Sequence, residues 1–156
     1  MIVFYVALEG VFLLFGMMIS KKLKDKADFF VCHVRFLEGF KQNLLFLQKS
    51  LFEYIEDISI VGNYKRVLES FKENFRNQDK DILLPDFLNL KEKEELNDFF
   101  GSLGVSDVST QLDHLEKTLF VARQREKESQ DKFKKYGGFS IKVSCLIGLA
   151  LIIILL

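Results

Sequence analysis

The chain has no tryptophan, one proline, two cysteines and two histidines among its 156 residues, and its charges cancel, with 22 Lys and Arg against 22 Asp and Glu. A single proline, Pro85, beside seventeen phenylalanines is too little turn punctuation for an all-β fold and describes a helical chain whose core is filled by large rings. Cys32 lies in the middle of the chain and Cys145 in an apolar run, so the two are not expected to pair and redox chemistry is not indicated. His33 and His114 have no Cys, Asp or Glu at a closed metal-ligand spacing, which argues against a zinc site. With no net charge there is no global field to recruit nucleic acid or an acidic substrate. No Ser-His-Asp pattern is present, and Gly101 and Gly104 are not followed by the Lys-Ser or Lys-Thr of a phosphate-binding loop. Catalytic, cofactor-binding and metal-binding residues are therefore expected to be absent, and the protein is expected not to be an enzyme.

The two ends carry most of the information. From Phe139 to Leu156 the only charge is Lys142, close enough to one end to snorkel. About 18 to 20 helical residues at roughly 1.5 Å each cross a hydrocarbon core of about 30 Å, so residues 139–156 read as a transmembrane helix. Residues 1–20 form a second apolar run that carries only Glu9 and closes on Lys21-Lys22-Leu23-Lys24. A signal peptide would place its positive charges before the run and small residues at a cleavage site after it, so this run is expected to stay uncleaved as a second transmembrane helix. Lysines also precede the C-terminal run, at Lys132, Lys134 and Lys135. Both basic clusters thus face the middle, which places residues 21–138 in the cytoplasm and both termini outside a multi-pass membrane protein.

Between the ends, Phe30, Val34, Leu37, Phe40, Leu44, Leu47 and Leu51 step by three or four, one face of a long helix running on from the first span, which Gly39 interrupts without stopping. Leu51, Tyr54, Ile55 and Ile58 form either a separate short helix after a bend at residues 48–50 or a continuation of the same rod. Gly62-Asn63 reads as a stop and a new start, with Val67, Leu68, Phe71 and Phe75 as the following stripe. Residues 77–81 are a polar loop. Asn89 with Glu92 three residues on is a capping-box variant before a helix that buries Leu96, Phe99 and Phe100 and ends in Gly101 and Gly104. Ser106 or Asp107 caps a last helix with core face Val108, Leu112, Leu115, Leu119 and Ala122. Residues 123–136 are a polar stalk helix leading through Gly137-Gly138 to the second span. The fold class expected is all-α, a cytoplasmic bundle of about five to six helices flanked by an N-terminal and a C-terminal transmembrane helix.

The stretch Phe99-Phe100-Gly101-Ser102-Leu103-Gly104-Val105-Ser106-Asp107, followed by Thr110-Gln111 and His114, a polar helix and a terminal apolar run containing Gly148, resembles the stage III sporulation protein AB family. Leu103, Gly104, Asp107, Gln111, His114 and Gly148 match the family pattern residue by residue, with Thr110 in place of Ser and Phe99-Phe100 in place of Phe-Gly. In the N-terminal half, residues 43–51 keep only the apolar residues, the aromatic and the final Leu of the pattern. The resemblance implies a helical domain between an entering and a leaving span, similar to the platform proteins of type II secretion. It also implies a place in the mother-cell membrane, in the secretion-like channel that joins mother cell and forespore in endospore formers. The partners implied are a cytoplasmic secretion-type ATPase and other sporulation channel proteins, with an oligomer expected and no nucleic acid.

Two features have two readings each. The glycine turn from Gly101 to Asp107 is either a tight reversal between helices or a docking corner that presents Leu103, Gly104, Asp107, Gln111 and His114 to another protein. Glu9, a carboxyl within an apolar run, either bonds to a neighbouring helix in protonated form or lines the interior of an assembly, and antiparallel spans would bring it level with Cys145 to Gly148. Gly10 and Gly16, with Ser144 and Gly148 opposite, are small enough for close helix approach. Besides the non-enzymatic platform, the alternatives are an oligomeric pore or transport subunit built around Glu9 and a general membrane-anchored adaptor unrelated to sporulation.

Overall fold

The computed structural model describes the backbone of residues 2–47, 49–77, 82–104 and 107–155, and the side chains of the same residues from Tyr5 to Ile154. Among them are five α-helices, one π-helical turn and no strand: α1 Ile2–Gln42, the π turn Asn43–Leu47, α2 Leu51–Asp57, α3 Asn63–Asn77, α4 Leu90–Ser102 and α5 Val108–Leu155. The chain is all-α, with fewer helices than expected because α1 joins the N-terminal apolar run to the first core helix. In the same way α5 joins the last core helix, the charged segment and the C-terminal apolar run. Gly137-Gly138 does not break α5: the Phe133 ring lies where a Gly137 side chain would stand, 2.8 Å from an added methyl group. Among the described residues one helix, α5, is long and apolar enough to cross a membrane, with 17% of its apolar window buried. The expected first span, residues 1–20, includes four residues whose side chains lie outside the described set.

Two compact units result, a terminal one of residues 1–27 and 127–156 and a central one of residues 28–126. In the central unit α1 buries Phe29, Phe30, His33, Val34, Phe36, Leu37 and Phe40. That is a wider arc than one amphipathic stripe, and a helix apolar on so much of its circumference must be covered on several sides. Tyr64, Val67, Leu68 and Phe71 of α3, Leu96, Phe99 and Phe100 of α4, and Leu115, Leu119 and Ala122 of α5 supply the cover. Rings meet edge-on, as between Phe29 and Tyr64, with centroids 5.2 Å apart, and between Phe99 and Phe100 at 5.1 Å. Such pairs add about 0.5 to 1.5 kcal/mol each beyond area burial. Gly39 opens a slot for Tyr54, whose hydroxyl donates to the Phe36 carbonyl at 3.1 Å.

The apolar step of α1 does not continue to Leu47. The π turn takes in one residue more than an α turn and shifts the phase, so Phe46 is 79% and Leu47 63% exposed while Asn43 is fully buried. Asn43 holds the reversal, its amide donating to the Lys49 carbonyl at 2.9 Å and its carbonyl accepting the Lys49 amide at 3.3 Å. Of the bend expected at residues 48–50, Gln48 lies outside the described residues. Ser50 then opens a separate α2 with a capping box, its hydroxyl accepting from the Glu53 amide while the Glu53 carboxylate accepts from the Ser50 amide at 2.9 Å. Asn89 and Glu92 form the second box, both bonds at 2.9 Å. α3 begins at Asn63 directly after Gly62, whose φ of 76° is open to glycine at little cost. Of its expected stripe Val67, Leu68 and Phe71 are buried, while Phe75 is half exposed with its ring 5.0 Å from that of Phe52. The polar loop expected at residues 77–81 lies outside the described residues from Gln78 to Asp81.

His33 is buried with its Nδ1 2.8 Å from the Tyr64 hydroxyl. Burial pushes its pKa from 6.5 down to about 3, so the folded state keeps the ring neutral. The unfolded chain takes up that proton below about pH 6.5. Stability is therefore complete above about pH 6.5 and falls as the pH drops toward 3, by up to about 1.4 kcal/mol per pH unit. Thermal unfolding of the full chain in detergent, followed by circular dichroism from pH 7 to 4, should show this loss, and His33→Asn should flatten it. In the same measurement Gly39→Ala should cost roughly 1 to 3 kcal/mol, because the new methyl group takes the place of the Tyr54 hydroxyl.

Candidate functional site

The glycine turn closes α4 onto the start of α5. Leu103 is buried and its amide bonds the Phe100 carbonyl at 3.3 Å, and Gly104 takes φ 77°, a left-handed conformation that suits glycine. Asp107 starts the next helix: its backbone carbonyl accepts the Gln111 amide at 3.0 Å, and its carboxylate accepts the Thr110 hydroxyl at 2.6 Å. Those side-chain bonds, the hydroxyl first and the Thr110 amide second, hold the Asp107 carboxyl below the usual carboxylate range. The cap is therefore Asp107; the other candidate, Ser106, lies outside the described residues.

Leu103, Gln111 and His114 line one cavity of about 280 Å³, with Phe40, Phe99 and Leu115 as its apolar wall. At the rim the Ser102 hydroxyl donates to the Phe99 carbonyl at 2.8 Å, and its oxygen lies 3.3 Å from His114 Nδ1. Gly104 faces Leu51, 3.8 Å from where its side chain would begin. The cavity can take one large apolar side chain, with His114 and Gln111 placed to bond a polar group beside it. Phe40 reaches the site from far up the chain and could not be found by spacing, whereas Ser102 sits inside the glycine turn itself. Among the described residues no three His, Cys, Asp or Glu side chains gather at metal-binding distance.

The charged stretch of α5 is tied into the central unit at its start. Arg125 makes a two-point contact with Glu95, at 2.8 and 3.2 Å, and Arg123 pairs with Glu38 at 2.7 Å. Lys41 with Glu116, at 2.6 Å, adds a third link between α1 or α4 and α5. Arg125 and Glu95 are only 20% and 32% exposed, so of these pairs theirs is the least screened.

In the terminal unit, α1 and α5 touch at their small residues. A methyl group added at Gly16 would lie 2.8 Å from the Ser144 hydroxyl and 3.0 Å from the Ile141 Cα. Gly148 leaves the notch into which the Glu9 carboxyl fits. Both Glu9 oxygens are buried, and neither meets a hydrogen-bond partner among the described residues. Gly10 faces open space and takes no part in the contact.

Helix throughout, a cavity at a glycine turn and a terminal helix able to cross a membrane define an all-α protein with one candidate span. The chain belongs to the stage III sporulation protein AB family, whose model matches residues 2–156. Its role is therefore in sporulation, which sets aside an adaptor unrelated to that process. Comparison with curated proteins and with solved structures gave no match.

The contrast between two glycines tests the terminal contact. Gly148→Ala should lower the thermal midpoint of the full chain in detergent, with a cost on the order of 1 kcal/mol or more as Glu9 is displaced, while Gly10→Ala should leave it unchanged. Equal effects at both positions would contradict the register described.

Proposed function

We propose that this protein is a non-enzymatic membrane platform of the sporulation channel between mother cell and forespore. Two antiparallel spans, residues 1–20 and 139–156, hold a cytoplasmic helical domain against the mother-cell membrane, with both termini outside. The domain receives a cytoplasmic secretion-type ATPase and other channel proteins. The observation that carries the reading is the inside-out character of the terminal unit. Its large apolar side chains point outward, among them Leu14 at 62% and Ile153 at 73% exposure, while Gly16, Ser144 and Gly148 occupy the helix contact. Water would disfavour that surface and lipid would not, and membrane helices meet through small residues in this way. The family match over nearly the whole chain supports the sporulation setting. The cavity lined by Leu103, Gln111 and His114 supplies a docking corner of the right size for an apolar anchor from a partner.

The pore reading has less support, since Glu9 is covered within a single chain by the Gly148 notch and so is poorly placed to line an aqueous path. Glu9→Gln should accordingly leave partner binding intact.

Topology tests the reading most directly. A reporter fused after Leu156 should read as extracytoplasmic and one inserted at Gln78 as cytoplasmic, and a non-cytoplasmic result at Gln78 would rule out contact with a cytoplasmic ATPase. Thr110→Trp, which fills the mouth of the cavity, should reduce co-purification of the ATPase from sporulating cells at least tenfold, whereas Thr110→Ala, which loses the same hydroxyl bond to Asp107 but leaves the mouth open, should not.

A further inference from the structure

The terminal unit also carries a concentrated positive charge. Lys21, Lys22 and Lys24 follow Ser20 on α1, and Lys132, Lys134 and Lys135 precede Gly137 on α5. The two helices run antiparallel here, and a methyl group at Gly137 would lie 3.5 Å from the Ser20 hydroxyl, so the two lysine groups share one level. All six side chains are exposed, and none has an acidic partner among the described residues. The one contact among them is Lys135 Nζ, 5.2 Å from the centre of the Tyr136 ring. Counting residues 20–27 and 127–136 together, eight lysines face three acids, Asp25, Glu128 and Asp131.

Directly beyond this level the surface becomes apolar. Met17 and Met18 on α1 and Phe139 on α5 are each more than half exposed. Ammonium groups left without counter-ions at the margin of an exposed apolar surface match the boundary between lipid headgroups and acyl chains, where lysine stems lie along hydrocarbon and their heads reach phosphate.

We propose that this belt is a binding site for anionic phospholipid, in which ammonium groups from both helices hold the phosphodiester of one or more headgroups. The inference rests on the membrane reading above and adds the class of lipid. Convergence of the two lysine groups is what separates it from a general preference of lysines for one side of a membrane. One headgroup can be approached from α1 and α5 at once, so the lipid clamps the helix pair.

The test uses the full chain in mild detergent, doped with phosphatidylglycerol or with phosphatidylcholine, with bound lipid counted by native mass spectrometry. Phosphatidylglycerol should be retained in preference to phosphatidylcholine, and inorganic phosphate should not displace it. The triple variants K21Q/K22Q/K24Q and K132Q/K134Q/K135Q should each weaken retention on the order of a hundredfold, about fivefold per lysine. Equal retention of the two lipids, or retention unchanged in either variant, would overturn the proposal. Displacement by inorganic phosphate would make the belt a free-anion site, and tighter binding of a short oligonucleotide would make it a nucleic-acid site; either result also overturns it. A chain that remains in the membrane fraction with no headgroup preference defeats this inference alone, whereas a chain that stays dispersed without detergent defeats the membrane reading with it.

Discussion

A helix that is apolar around most of its circumference has to be surrounded, and in the central unit that helix is α1 from Asp28 to Gln42. Phe29, Phe36 and Leu37 are almost fully buried, and the remaining helices are placed by the need to cover them. α3 brings Tyr64 and Phe71, α4 brings Phe99 and Phe100, and α5 closes the set with Leu115 and Leu119. The ion pairs from Glu38, Lys41 and Glu95 to α5 are partly or largely exposed, and so fix its orientation more than its stability. The same crowding leaves His33 no water, which is why its ring stays neutral and bonds the Tyr64 hydroxyl.

Parts of this were legible in the sequence because they follow fixed periods. The step Phe30, Val34, Leu37, Phe40 marks the core face of α1, and Asn89 with Glu92 marks a helix start that the structure contains with both bonds made. The period failed at Leu47, where the π turn adds a residue that no template of 3.6 residues per turn contains. Ser50 with Glu53 carries the same box signature as Asn89 with Glu92, but the apolar step counted through to Leu51 masked it. At the candidate site the motif residues Leu103, Gln111 and His114 do converge on one cavity, and Asp107 stands beside them as a helix cap. Phe40, which completes the wall, comes from a packing relation across the chain that spacing does not encode.

The terminal unit follows a different rule. Its contacts are set by what is missing from Gly16 and Gly148, and its large side chains turn outward. The Glu9 carboxyl is placed in that contact, in space that a side chain at Gly148 would take. A polar group in such a position gives the helix pair a unique register, since sliding by one residue would drive the carboxyl into a side chain. Gly10, a residue away from Glu9, faces elsewhere, which shows that the contact depends on rotation about the helix axis as well as on composition.

The π turn at Asn43–Leu47 has one further consequence. It holds a residue of slack at the point where α1 gives way to α2, and Asn43 clips the loose end to Lys49. Lineages that lost one residue here would wind the turn into ordinary α-helix and bring Phe46 round toward the interior, whereas a gained residue would only lengthen the bend before Ser50. Length variation among relatives should therefore be lopsided at this point, with additions tolerated and deletions purged.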